Sequence, residues 1–145
     1  MNRPHDPSRE RRSAEHEIIT SPDLPAPVGY AHAVVAAPGR TVHLGGQTAQ
    51  AADGSIAGGT IVEQFDLAAQ NLLTALAEAG GKPDDLVSVQ VYVTDLAAYR
   101  ASMRELVGVW RARFGRRYPA MAVLGVTGLF DPKALVELVG VAVIP

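Results

Sequence analysis

From Ile18 onward, apolar and polar positions fall into short regular patterns that predict a succession of strands and helices. Val87, Val89, Val91 and Val93 alternate with Ser88, Gln90 and Tyr92, and a period of two with β-branched residues on one side predicts a strand. Before it, Phe65, Ala68, Ala69, Leu72, Leu76 and Ala79 recur at helical intervals behind Thr60-Ile61-Val62-Glu63, which has the spacing of a capping box. Gly80-Gly81 and Pro83 end that helix. After the strand, Asp95 is placed to cap a second helix whose apolar stripe is Tyr99, Met103, Leu106, Trp110 and Phe114, ending at Gly115. Upstream, Ala31 to Ala37 and Thr41 to Leu44 flank Pro38-Gly39, which predicts a hairpin. Residues 120 to 126 and Ala134 to Ile144 read as two closing strands around a turn at Asp131-Pro132.

The order hairpin, helix, strand, helix, strand, strand gives an α+β fold of two layers, with two helices on one face of a mixed sheet. The last strand is apolar on both sides, so the sheet's bare face is expected to pack against other subunits. Residues 1–17 hold four arginines, four acidic residues and two prolines with almost nothing apolar, which predicts a flexible N-terminal arm ahead of one domain, 18–145.

Composition narrows the function classes. At 145 residues and 48% hydrophobic the chain can bury a real core, about two thirds of its surface by size scaling. The absence of cysteine excludes disulfides, thiolate metal sites and a cysteine nucleophile. A formal charge of −2 and a pI near 6.0 argue against a protein built to coat nucleic acid. No apolar run is long enough for a membrane span, and the reading is cytoplasmic.

Four features could carry chemistry. Glu137 is the single charge between Ala134 and Pro145, and a carboxylate inside such a strand is a candidate general base or a structural group paired at an interface. Gly45-Gly46-Gln47 ends the hairpin strand, where two glycines let a ligand or a neighbouring backbone come close and Gln47 offers both donor and acceptor. His32 and His43 would be diagonal neighbours on a tight hairpin, yet no third ligand accompanies them, so no metal is expected. Arg111, Arg113, Arg116 and Arg117 crowd the end of the second helix, where capping explains cations and an anionic ligand is the alternative.

Taken together, these residues resemble the RidA/YjgF/UK114 family of reactive-intermediate deaminases over residues 22–145. Gly29-Tyr30-Ala31-His32-Ala33 is similar to the family's opening Gly-x-Tyr-Ser-x-Ala pattern, and Leu44-Gly45-Gly46-Gln47 to its Ser-Gly-Gln segment. Glu63-Gln64, Asn71-Leu72, Leu76 and Ala79-Gly80 match its first helix, Val91-Tyr92-Val93-Thr94-Asp95 its central strand, and Pro119-Ala120 and Val136-Glu137 its closing strands. The resemblance implies a chorismate-mutase-like fold, a homotrimer with a ligand cleft at each subunit interface, and hydrolysis of enamines or imines of the 2-aminoacrylate type to keto acids and ammonia without metal or cofactor. It also implies a ligand site at Tyr30, Gly45, Gly46, Gln47 and residue 121, with Glu137 activating water. In the family an arginine of a Pro-Ala-Arg motif clamps the substrate carboxylate. Here the motif is Pro119-Ala120-Met121, Gly45 stands at the family's serine, and Met103 at its usual asparagine. A thioether offers neither charge nor donor, so loss of the clamp is expected to cost several kcal/mol, about two to four decades in rate on the family's substrate. The readings that remain are a divergent hydrolase or deaminase of a small enamine or imine, a non-catalytic trimer that binds a small metabolite, and, last, a ribonuclease or translation inhibitor.

Overall fold

The structure, a computed structural model, describes residues 15–145. Among the described residues, six strands and three α-helices form an α+β fold. The strands are β1 (Glu17–Ile19), β2 (Ala33–Val35), β3 (Arg40–Gln47), β4 (Leu86–Val93), β5 (Ala120–Gly125) and β6 (Val136–Ile144). The helices are α1 (Ile61–Glu78), α2 (Leu96–Ala101) and α3 (Met103–Phe114), with a 3-10 turn at Pro83–Asp85.

The main sheet has the order β3-β6-β4-β5. β6 is antiparallel to both of its neighbours, and β5 is parallel to β4. β6 is thus hydrogen-bonded along both edges. One face is dry: Val89, Val91, Val93, Val136, Leu138 and Ala142 are fully buried and pack with Phe65, Leu72 and Leu76 of α1 and Leu106, Trp110 and Phe114 of α3. The opposite face carries Gln90, Tyr92, Glu137, Val139 and Val141, half-buried and with no helix over them among the described residues.

The first helix forms as its cap predicts. Thr60 Oγ1 accepts the Glu63 N–H at 3.2 Å and the Glu63 carboxylate accepts the Gly59 N–H at 2.9 Å. Gly80, at φ +86°, ends it in a conformation that L side chains resist. Asp95 caps α2 by accepting the Ala98 N–H at 3.0 Å, but the second helix is broken at Ser102 into α2 and α3. Two amides of α1 fasten loops: buried Gln64 donates to Gly58 O and Lys133 O and accepts the Leu135 N–H, while Asn71 donates to Thr48 O and Gln50 O.

Two sequence expectations are corrected. β2 and β3 do not form a hairpin: β2 pairs antiparallel with β1 in a separate two-stranded sheet, and β3 pairs with β6. Between them Gly39 lies so close to the Ile144–Pro145 backbone that any side chain there would collide, so the chain passes from one sheet to the other at this point. The pairing of His32 with His43 falls with the hairpin. Most of the expected arm, residues 1–14, lies outside the described residues; its last three do not. His16 is buried, its Nδ1 accepting the Ala37 N–H at 3.0 Å and its Nε2 facing Val143 O at 2.9 Å and Asp85 O at 3.2 Å, and Glu17 opens β1. The folded domain therefore starts before Ile18.

Candidate functional site

The proposed site residues fall into two groups on the main sheet. The first forms around Gly46. The β3–β6 register shifts between Leu44 and Gln47, so Gly45 and Gly46 make a bulge beside Glu137. A side chain at Gly46 would collide with the Glu137 carboxylate, whereas nothing lies within 4 Å of the same point on Gly45. The space freed by one glycine is thus filled by Glu137 itself. Glu137 is half-buried, pairs in register with Tyr92 of β4, and accepts no hydrogen bond from the described residues. Gln47 pairs with Leu138, whose side chain belongs to the helix-side core, so the bulge turns Gln47 away from the face that carries Glu137.

The second group surrounds an open cleft of about 380 Å³ at the start of β5, lined by Tyr30, His32, Gln90 and Met121 together with Leu24 and Pro25. Backbone pairing places it there: Ala31 bridges Ala120 in parallel, and the Ala31 N–H donates to Pro119 O at 3.0 Å. His32 shapes the wall. Its Nδ1 accepts the Ser21 N–H at 3.0 Å, so its Nε2 carries the proton and donates to Pro25 O at 2.9 Å, and its ring lies 5.9 Å from that of Tyr30. The lining holds no arginine or lysine, and both nitrogens of its one histidine are engaged by backbone.

The register partner of Met121 is Val89, on the dry face. Met121 packs against the core and also lines the cleft. Glu137 does not line that cleft. The two groups are joined by Gln90, which faces the cleft and sits diagonal to Glu137 across the β4–β6 pair, a separation of about 7–8 Å in a regular sheet. The sequence pattern puts His32 forward only as a partner of His43 and does not assign Gln90 to a site, although the alternation in β4 already puts Gln90 opposite the valines. His43 is exposed on β3, and no group of three or more His, Cys, Asp or Glu able to hold a metal occurs among the described residues.

The arginines at the end of α3 do not enter the cleft. Arg113 makes a bidentate pair with Asp66 of α1 at 2.7 and 3.2 Å, and Arg117 donates to His16 O at 3.1 Å. The hydrogen bond from Arg113 holds the Asp66 carboxyl below its ordinary range.

The fold and these residues can be set against known proteins. Residues 20–144 match the model of the family described as endoribonuclease L-PSP. The chain belongs to the Rid/YjgF/UK114 family. A RutC family protein of Pyrococcus abyssi is 33% identical over 129 residues, covering 87% of this chain and 95% of that protein. Among solved structures, the Rid family protein YyfB of Yersinia pestis, described as of unknown function, superposes with a TM-score of 0.80 at 28% identity, covering 89% of this chain and 98% of its own. RidA of an Antarctic Psychrobacter gives 0.64 at 28% identity, covering 88% and 99%. Members of this family are typically homo-oligomers that bind small molecules.

Proposed function

We propose that the protein is a homotrimeric hydrolase of small neutral imines or enamines, acting without metal or cofactor in clefts between subunits, with Glu137 activating water. The observation that carries this reading is the uncharged cleft: Tyr30, Gln90 and Met121 offer hydrogen bonds and apolar contact where a carboxylate-bearing substrate would need a cation. A carboxylate entering it would lose hydration without a charged partner, a cost of several kcal/mol. A neutral imine carries no such cost.

The chemistry asked of Glu137 is general base catalysis. Its carboxylate takes a proton from water as the oxygen adds to the imine carbon and returns it to the nitrogen; it then takes the hydroxyl proton of the carbinolamine and delivers that to the nitrogen as well, the C–N bond breaks, and ketone and ammonia leave. The Gly46 bulge leaves this carboxylate with no side chain in its way from β3 and half-open to solvent, as a base that must meet water requires. Because Glu137 lies outside the cleft of its own chain, the reading has a neighbouring subunit bring the two groups together. That arrangement agrees with the subunit-interface clefts implied by the family resemblance and with the open sheet face.

The test compares two imines formed in situ, that of butan-2-one and that of 2-oxobutanoate, by ammonia release. Faster hydrolysis of the neutral imine, lost in a folded Glu137→Gln protein, is the expected result. Preference for the carboxylate-bearing imine would overturn the substrate assignment, and full activity in Glu137→Gln would remove the base. A second reading, ligand binding without turnover, rests on the substitution at position 121, and saturable binding of the ketone with no acceleration for either imine would establish it.

A further inference from the structure

On the dry side of β5 a chamber of about 50 Å³ lies between the sheet and α3, walled by Phe65, Leu106 and Trp110 and rimmed by Tyr99 and Tyr118. Its lining contains no charged residue. Met121 is the one residue that lines both this chamber and the Tyr30 cleft among the described residues. We propose that the chamber is a second compartment of the ligand site, taking a short apolar tail whose reacting end lies in the cleft, with Met121 as the movable partition. This deepens the neutral-imine reading and rests on it for the reacting end only.

Three observations support it. The walls are buried: Phe65, Leu106 and Trp110 are 2, 3 and 4% exposed, and Trp110 stacks with the rings of Phe114 and Tyr118 at 4.1 and 5.3 Å with its Nε1 donating to Arg117 O. The chamber is apolar enough that burial raises the Tyr99 phenol at its rim above its ordinary range, with Tyr118 adding to the shift. The partition is a thioether on an unbranched chain, the side chain best able to swing aside and repack. At about 30 Å³ for a group the size of water, the chamber holds about two methylene groups.

The sequence holds a built-in reporter, because Trp110 is its one tryptophan. Full-length protein is titrated with methyl ketones from propan-2-one to octan-2-one, reading Trp110 emission and calorimetric Kd. Affinity is expected to rise about fourfold per methylene, the fold-change that burying one CH₂ gives, and to level once the chamber is filled. Val107→Phe, from the chamber lining, should flatten the rise. Met121→Ala should move the levelling point to longer chains. Val107→Met, a smaller change, serves if the phenylalanine variant fails to fold. Ketones that bind with equal affinity at every length, or a rise untouched by filling Val107, would overturn the chamber and leave the cleft reading intact. A chain-length rise without imine hydrolysis would support the chamber and overturn the hydrolase. Absence of binding by every ketone would overturn both.

Discussion

Gly46 and Gly45 are adjacent, equally exposed, and alike in the sequence, yet only one of them has a neighbour. An alanine methyl at Gly46 would force the Glu137 carboxylate to move, whereas the same methyl at Gly45 meets nothing. Gly46→Ala is therefore expected to lower imine hydrolysis at least about tenfold, ~1.4 kcal/mol of barrier, with the fold retained, and Gly45→Ala to leave it within twofold. Steady-state kinetics on the two variants, with circular dichroism as the check on folding, decides it; equal effects would detach the bulge from the function. The sequence singled out both glycines and Glu137, but as separate features. Their contact depends on β3 pairing with β6, some ninety residues later in the chain, and no local pattern encodes that. Gln90 stayed unassigned for a related reason: alternation says which face a residue takes, not which loop will come to lie over it.

At the scale of elements, the alternating valines of β4 and the periodic stripe of α1 were legible because each is decided by its own residues and one dry face. Pro38-Gly39 suits a tight turn locally and so predicts a hairpin, but β3 finds a longer apolar partner in β6 and β2 is left to β1. His16 was hidden in a charged stretch whose composition suggested no structure. It ties Ala37, Asp85 and Val143 together, and replacing it by alanine strands three buried backbone groups. A loss of about 2–4 kcal/mol in urea unfolding is expected, and a loss within 0.5 kcal/mol would show that water replaces it freely. The Asp66–Arg113 pair between α1 and α3 sets a smaller, pH-dependent contribution. The folded carboxyl is held below its ordinary 3.8, so its stabilisation is complete above that pH and fades as pH falls further, through the folded value. Both partners are about a third exposed, so Asp66→Asn should cost under about 1 kcal/mol at neutral pH and nothing once the carboxyl is protonated. Unfolding curves at pH 7 and below pH 3 test the sign.

At the scale of the whole molecule, the described residues leave one sheet face without a layer of its own: Val139 and Val141 of β6 sit there half-covered, with Leu124 of β5 exposed beside Tyr92. The two-sided apolar pattern of β6 makes this face legible from the sequence. The trimer reading assigns the face to the other subunits. Sedimentation equilibrium should return about three times 15.3 kDa, and Val141→Lys should shift the species toward monomer while preserving secondary structure. A single monomeric species for the native chain at micromolar concentration would contradict it, and with it the interface cleft.

The most direct test of the account at this scale is the ammonia-release rate of the intact assembly on the imine of butan-2-one, measured beside mixtures in which Glu137→Gln and Tyr30→Phe chains are co-assembled. If the cleft of one subunit is completed by Glu137 of the next, each variant alone is nearly inactive and mixed trimers regain a substantial fraction of the native rate. A mixture no more active than its separate components, in a population verified as mixed trimers by mass, would contradict the shared site.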